Sequence, residues 1–422
     1  MNQERILVVG DYRQTITVVR SLARAGHHVT LGSHDPCSST ALSRHLSGLW
    51  SWPRDNPARF VRELEKRLRT DPPAFVFPVG ESQLRALAPH ARRLDTLTTW
   101  VGPAWPVLLQ CFNKRAMFEL CDAVSVPTRP WSAWRRQSGR AAWRRQALEH
   151  GFPVVIKRCD SSAHVEGRKA LIIRDAVSLE RFLQNISRDP DAGSLLMQAF
   201  ATGVRHNCQF AADAGRITAY FEQRVVRTDT LDMTGIGIEG ISVAPSAQLR
   251  DWCERITRAL GYHGIGCIQF LVDEKTGSVS FLELNPRMDS TAALPVRLGY
   301  DFPRIAVELA RRRRDAGGAT VASAGGDFAS TQALPGHAYA LGRRYHWLYG
   351  DVLAWHEARK SGAAGPLHLS AWALRSLCIA CCSHHLTWDV GDPLPTLHEY
   401  WKQLRGALAR RAGLQPLATG YR

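Results

Sequence analysis

The sequence predicts a mixed α/β and α+β chain: an N-terminal doubly wound parallel sheet, a second region built on hairpins, and a helical C-terminal extension. Three observations carry this reading. Strand-like and helix-like runs alternate through the N-terminal region, the pattern of β-α-β units. From Asn113 onward, paired apolar runs separated by short turns replace that alternation. Gly317, Gly318, Gly325 and Gly326 flank a run of small residues that reads as a linker, and beyond it the composition shifts to Trp and His on helical spacing. A length of 422 residues calls for two or three packed domains. The expected boundaries are 1–110, 111–315 (with a small lid subdomain at about 125–195) and 316–422.

The N-terminal elements follow in order. Residues 5–10, Arg-Ile-Leu-Val-Val-Gly, form a buried strand ending in a glycine turn. A helix through Val18, Val19, Leu22 and Ala23 precedes Gly26 and a second strand at His28–Leu31. A helix at Pro57–Arg69, a strand at Ala74–Pro78 and a helix at Glu81–Leu94 continue the alternation. Only Gly10 stands at the phosphate-binding turn and the G-x-G-x-x-G pattern is absent, so this region reads as a scaffold and not as a dinucleotide site.

The second region opens with a helix at Lys114–Val124, ended before Pro127. Arg129–Gln146 then carries six arginines, no acid, and Trp131, Trp134 and Trp143. Two readings stand side by side: Arg and Trp that stack on bases and hold phosphates, or one amphipathic helix with the tryptophans on its inner face. Phe152–Lys157 is a strand ending in a lysine, followed by strands at Ala170–Ile173 and Ser194–Phe200 with a helix at Ser178–Ile186 between them. Cys208–Ala212 and Ile217–Phe221 form a hairpin around Ala214-Gly215. An amphipathic helix, Leu249–Leu260, leads to strands at Gly266–Val272 and Ser278–Leu284.

Composition bounds the function. At 45% hydrophobic and 22% charged residues the chain is globular, and no apolar run approaches the roughly 18 residues of a membrane span. The start, MNQERILVVG, passes directly into a strand, so no signal peptide and a cytoplasmic location are expected. A net charge of +16 points to an anionic ligand, a nucleic acid or an acidic surface, set against a merely arginine-rich solvated exterior. Ten cysteines without regular spacing suit reduced thiols. Cys378, Cys381, Cys382, His384 and His385 are metal-ligand types, but one helix cannot turn all of them inward and a second ligand pair is missing, so zinc is not expected.

The sharpest local signal is Ser280-Phe-Leu-Glu-Leu-Asn-Pro-Arg-Met-Asp-Ser290. Glu283 and Asn285 lie two apart on a strand and share a face. Pro286 stops the strand and Arg287 follows, which sets hard oxygen donors beside a cation suited to phosphate. Gln269 on the preceding strand supplies another oxygen. The plainer alternative is a charged edge with Glu283 paired to Arg287.

With these residues in view the sequence resembles the ATP-grasp enzymes, and most clearly the synthetase domains of the carbamoyl-phosphate synthase large subunit. The matching stretches run in family order over about residues 110–310: Asn113-Lys114, Val-Val-Ile-Lys157, Leu-Met-Gln198-Ala-Phe, Ile241–Ser246, Gly-Cys-Ile-Gln269-Phe and Phe-Leu-Glu283-Leu-Asn285-Pro-Arg287. The resemblance implies an ATP-grasp fold after the N-terminal sheet domain, with ATP and Mg2+ (or Mn2+) as cofactors. Lys114 and Lys157 would hold ATP phosphates, and the backbone of Met197, Gln198, Ala199, Phe200 and Ala201 would read the adenine edge. Gln269, Glu283 and Asn285 would hold metal, and Arg287 would steady the γ-phosphate and the acyl phosphate formed from it.

Departures are visible as well. The loop 158–169, which should close over the phosphates, has one glycine, Gly167, with Ser161, Ser162, His164 and Lys169 as candidate side-chain contacts. Ala199 stands where relatives often have glutamate, and Arg205-His206-Asn207 where they often place an acid for ribose.

The implied activity is an ATP-dependent carboxylate–amine ligase, ADP-forming, acting on small molecules that include acidic or phosphorylated ones. Arg224, Arg227, Glu239, Asp289, Ser290 and Arg297 are candidates for the acceptor side, and Thr228–Gly240 for a lid. A second reading is a basic nucleic-acid or anionic-surface binding protein on a degenerate ATP-grasp scaffold, resting on residues 129–146, Arg311–Arg314 and the basic tail. A third keeps the chemistry with ammonia or carbamate as acceptor. Oligomeric state is not legible in the sequence.

Overall fold

A computed structural model describes residues 3–35, 37–52, 56–134, 139–186, 191–230, 233, 235–317 and 339–411. The N-terminal sheet has five parallel strands: β1 (Arg5–Val9), β2 (His28–Ser33), β3 (Gly48–Ser51), β4 (Phe75–Pro78) and β5 (Thr99–Trp100), in the order β3-β2-β1-β4-β5. β1 and β4 are apolar along nearly their whole length because helices cover both faces. The expected helix at Glu81–Leu94 is broken into Glu81–Leu87 and Ala91–Leu94 around Pro89, which has no N–H to donate.

β2 and β4 flank β1 on opposite sides, so the ligand crevice of such a sheet would lie beyond Gly10 and Gly80. Tyr12 fills it. Its hydroxyl donates to Gln83 Oε1 at 2.8 Å, and a Cβ on Gly80 would stand 1.8 Å from its ring. The scaffold reading of this region thus has a physical basis. Gly80→Ala is expected to destabilise the protein by about 1–3 kcal/mol through overpacking, read as a lower urea midpoint at unchanged slope.

A four-stranded antiparallel sheet follows: β6 (Trp131–Ala133), β7 (Val154–Arg158), β8 (Leu171–Ile173) and β9 (Leu195–Ala199), ordered β6-β9-β7-β8. The single amphipathic helix expected across 129–146 is not formed. Trp131 lies on β6, the helix spans Gly139–His150, and Trp134 meets Trp143 edge to face at 4.8 Å. Trp134 and Trp143 are buried in this small sheet's core, and Trp131 donates to Asp122 at 3.0 Å while packing on Phe118.

The third sheet is the largest. It comprises β10 (Val204–Asp213), β11 (Arg216–Thr228), β12 (Gly237–Ser242), β13 (Gly264–Val272), β14 (Val279–Asn285), β15 (Arg344–His346) and β16 (His384–His385), ordered β14-β13-β10-β11-β12-β15-β16. All neighbours are antiparallel except β15 and β16. One face packs Phe210, Tyr220, Ile268 and Phe270 under the helices Lys114–Ala123 and Ala247–Leu260. The latter helix starts at Ser246, whose Oγ accepts from Leu249 N at 3.3 Å, and ends at Gly261 with φ 55°. Part of the other face shares a core with the N-terminal sheet through Ala211, Phe221, Ile265 and the helix Phe302–Asp315.

The C-terminal part differs from the helical extension expected. Helices at Leu348–Lys360, Pro366–Cys382 and Leu394–Arg411 are present, but β15 and β16 extend the central sheet beyond β12. An ion cluster clamps this join. Arg227 on β11 donates to both carboxylate oxygens of Asp351 (2.9 and 2.7 Å) and to Glu239 on β12 (2.7 Å). Glu239 also accepts from Arg344 (2.8 Å) and Arg375 (3.1 Å); Asp351 accepts from His346 (2.8 Å), Ser376 (2.6 Å) and Trp372. Both carboxylates are fully buried, and His346 and its neighbours hold Asp351 far below the ordinary carboxylate range despite burial.

Cys378, Cys381 and Cys382 are exposed, and no group of His, Cys, Asp and Glu suited to a metal occurs among the described residues. No helix among them is long and apolar enough to cross a membrane. Gly318, Gly325, Gly326, Arg135, Arg136, part of the proposed 228–240 lid and the basic tail beyond 411 lie outside the described residues.

Candidate active site

Three units meet at Glu283. β14 carries Glu283 and Asn285 on one face, with Gln269 of β13 directly opposite Glu283. Asn285 Nδ2 donates to Glu283 Oε1 at 2.9 Å, and Arg287 donates to Asn285 Oδ1 at 3.4 Å. The Glu283–Arg287 ion pair of the plainer alternative is not formed. Lys114 comes from the first turn of its helix, whose N-cap Asn113 accepts from Ala116 N at 3.2 Å; its own N–H is tied to Cys159 O at 2.7 Å. Lys157 is the penultimate residue of the inner strand β7 of the small sheet and donates to Gln198 Oε1 on β9 at 3.1 Å.

The charges of these groups act on one another. Burial opposes ionisation of Glu283, yet Lys114, the Asn285 hydrogen bond, Arg287 and Arg205 together hold its carboxyl below the ordinary range. Burial lowers Lys114, with Glu283 opposing the shift. Burial and the like charge of Lys114 bring Lys157 down to about 8. The site therefore holds an ionised carboxylate and two strained ammonium groups that an added anion would relieve.

A pH dependence follows. Because its pKa is depressed, Lys157 is charged below about pH 8 and neutral above it, so affinity for Mg·ADP is expected to fall as pH rises through that value. Calorimetric titration from about pH 6.5 to 9.5 reads this, and Lys157→Met should bind weakly throughout without the step.

The donor set at Glu283 is one ionised carboxylate and two amide oxygens, Gln269 and Asn285. Oxygen-only donors with a single charge suit magnesium, which takes few protein ligands and completes its shell with water and phosphate oxygens. The residues present fit that ion. Lys114 and Ser161 line one pocket with Glu283 and Asn285.

At the proposed adenine strand, Met197 is buried in the small-sheet core and Gln198 accepts from Lys157. Ala199 N and Phe200 N already donate to Pro130 O (2.9 Å) and Pro153 O (3.1 Å), so Ala201 offers the first amide N–H beyond the strand pairing. The glycine-poor loop 158–169 is tied to the N-terminal scaffold. Arg85 donates to Asp160 Oδ2 and Ser161 Oγ, each at 2.8 Å, and to Glu81 at 2.9 Å, and lies over Phe112 at 4.4 Å. Ser162 turns back to Asp160, and Lys169 donates to Ser161 O at 2.8 Å.

The six acceptor-side candidates do not converge. Arg227 and Glu239 belong to the ion cluster under β15, Arg224 pairs with Glu274 at 2.7 Å, and Arg297 donates to Trp388 O. Asp289 accepts from Thr291 N at 2.8 Å and the Ser290 carbonyl accepts from Arg13 at 3.2 Å. Arg205, Asn207 and Gln209 alternate along β10, the first two noted in the sequence only as a departure at the ribose position and Gln209 not at all, and Asn207 lies opposite both Gln269 and Gln223. The period-two polar run Arg205-x-Asn207-x-Gln209 was the available signal.

Several of the features behind a nucleic-acid surface are otherwise engaged. Trp134 and Trp143 are buried, Arg144 pairs with Glu180 at 2.7 Å, Arg311 and Arg314 pair with Glu4, and Arg313 donates to Trp100 O and Gly102 O.

Residues 113–314 match the family described as carbamoyl-phosphate synthase L chain, ATP binding domain. The chloroplastic biotin carboxylase of Arabidopsis thaliana is 28% identical over 198 residues, 45% of this chain and 36% of that protein. The carbamoyl phosphate synthase large chain of Methanosarcina acetivorans is 29% identical over 187 residues, 41% of this chain and 17% of that one. The chain thus spans only about a third or less of these relatives' length.

Among solved structures, biotin carboxylase of Campylobacter jejuni in a β,γ-ATP complex superposes with a TM-score of 0.60 at 17% identity, over 73% of this chain and 71% of that one. N5-carboxyaminoimidazole synthetase of Staphylococcus aureus complexed with ADP gives 0.58 at 11% identity, over 72% and 76%. At such identities the likeness is one of fold. Over residues 113–314 the chain therefore resembles the ATP-binding domain of the carbamoyl-phosphate synthase large subunit, and it shares its fold with biotin carboxylase.

Proposed function

We propose that this protein is an ATP- and magnesium-dependent ligase that joins a carboxylate to an amine through an acyl phosphate, releasing ADP and phosphate. The observation that carries this is the meeting of ionised Glu283 with Lys114 and Lys157, drawn from separate structural units, beside Asn285 and Arg287. Phosphoryl transfer needs positioned positive charge around spread negative charge and little covalent help.

Lys114 and Lys157 would hold the phosphates as point charges, and the Met197–Ala201 backbone would place the adenine. Gln269, Glu283 and Asn285 would hold magnesium, which when bound neutralises phosphate charge. A carboxylate oxygen attacks the γ-phosphorus and the bond to the ADP oxygen breaks. Arg287 steadies the resulting acyl phosphate through a geometry suited to oxyanions. The amine nitrogen then attacks the carbonyl carbon, phosphate leaves, and the nitrogen loses a proton. Holding both partners in place can supply roughly 7–11 kcal/mol of the barrier.

The division 1–110, 111–315 and 316–422 assigns scaffold, catalytic and accessory roles in this reading, with the last also completing the central sheet. An ADP-release screen of carboxylates and amines in pairs, with mass spectrometry of the product, tests it. Absence of both Mg·ADP binding and ADP release would remove it.

A further inference from the structure

Glu283, Gln269, Asn207 and Gln223 stand opposite one another in a single row across β14, β13, β10 and β11. In the adjacent row on the same face, Arg205 lies two residues from Asn207, and Tyr345 of β15 lies opposite Gly240, itself opposite Val225. The absence of a side chain at Gly240 admits the Tyr345 ring, since a Cβ there would be 2.3 Å from it. A point beside Gly237 is 2.7 Å from the Tyr345 hydroxyl and 3.6 Å from the Arg205 guanidinium, so both reach one place.

Four polar atoms in these rows have no hydrogen-bond partner: Asn207 Oδ1, Gln223 Oε1, Arg205 Nε and Tyr345 Oη. Gln223 and Tyr345 are fully buried and Asn207 is 3% exposed, whereas Arg205 is only partly buried and stands at the outer side. Unpaired polar atoms at such depth are rare and unfavourable. The orientation of Gln223 is set by chemistry. Thr291 donates its hydroxyl hydrogen to Asp289, so its lone pairs accept from the Gln209 and Gln223 amide nitrogens. The Gln223 oxygen is thereby turned the other way.

The geometry points to a subsite on the sheet face that carries Glu283, lying over β10 to β12, for the ammonium and carboxylate of an α-amino acid, which would serve as the acyl donor. Two carbonyl oxygens side by side call for a group with several N–H bonds, which an ammonium has. A phenol hydroxyl and a guanidinium N–H call for an acceptor, which a carboxylate is. A phosphate oxygen cannot satisfy the amide oxygens, and bicarbonate has one O–H for two of them. Arg205, whose charge also reaches Glu283, would keep the carboxylate near the phosphate it must attack. Burial keeps the Tyr345 phenol protonated and able to donate.

This inference rests on the ligase reading. With hydroxylamine as amine, an acyl phosphate is captured as a hydroxamate, so each protein L-amino acid can be screened with Mg·ATP beside its N-acetyl and α-amide derivatives. At least one free amino acid should yield hydroxamate, and its N-acetyl derivative should not. Tyr345→Phe, which keeps the ring against Gly240, and Gln223→Leu should each raise the KM for that amino acid about tenfold, with the Kd for Mg·ADP unchanged. Equal use of the N-acetyl derivative, or an unmoved KM in both variants, overturns the subsite. Hydroxamate from simple carboxylates but from no amino acid also overturns it while leaving the ligase reading intact; failure of the wild-type protein to bind Mg·ADP removes both.

Discussion

Glu283→Ala is expected to lower ADP release by about 10²–10³-fold or more while the protein stays folded. Glu283 is the ionised carboxylate of the proposed metal-binding set, whose other members are the amides of Gln269 and Asn285, and Lys114, Arg287 and Arg205 all act on it. Its removal takes away the proposed charged metal donor and the carboxylate that acts on both Lys114 and Lys157. Glu283→Gln keeps the volume and loses only the charge, so it should be nearly as inactive. Because the Glu283 pKa is depressed, the carboxylate stays ionised as pH falls toward the ordinary carboxylate range, and the alkaline limb set by Lys157 should dominate the wild-type profile. A circular-dichroism melt close to wild type, together with lost ADP release, is the expected pair of results. An unaltered rate in either variant contradicts the site.

The second large effect concerns stability. Asp351→Ala removes the acceptor of Arg227, His346, Ser376 and Trp372 at once, in a place with no access to water. Removing this fully buried carboxylate and leaving the partly buried Arg227 half-paired is expected to destabilise the protein by about 3–5 kcal/mol, read from denaturant unfolding. The sign of the pH dependence is fixed. A depressed folded-state pKa stabilises the protein above the unfolded value of about 3.9, and that contribution is lost as pH falls through the folded-state value. The wild type should therefore lose stability under acid more steeply than Asp351→Asn, and equal acid sensitivity would argue against the cluster.

Much of this was legible because it is local. Glu283 and Asn285 share a face by the period of a strand, and Lys157 and Lys114 sit where an apolar strand ends and a capped helix begins. The parallel sheet announced itself through apolar runs such as residues 6–9 and 75–78. What depends on distant pairing was hidden. Nothing near Arg227 indicates a partner at position 351, and an acceptor-side role was the natural reading of a lone arginine. The tryptophans at 131, 134 and 143 have helical spacing, yet a strand, a connecting segment and a helix divide them. Tyr345 belongs to a three-residue strand whose place in the sheet is set by β12, far away in sequence.

The central sheet closes late in chain order, and this bears on biosynthesis. On a ribosome the strand Gly237–Ser242 emerges well before the segment Arg344–His346 that covers its outer edge. Until then the nascent polypeptide presents open backbone hydrogen-bonding groups on an incomplete sheet, together with a carboxylate and a guanidinium awaiting their later partners. A stop codon just ahead of position 344 should therefore yield insoluble product even though every proposed ATP-binding and metal-binding residue has been made.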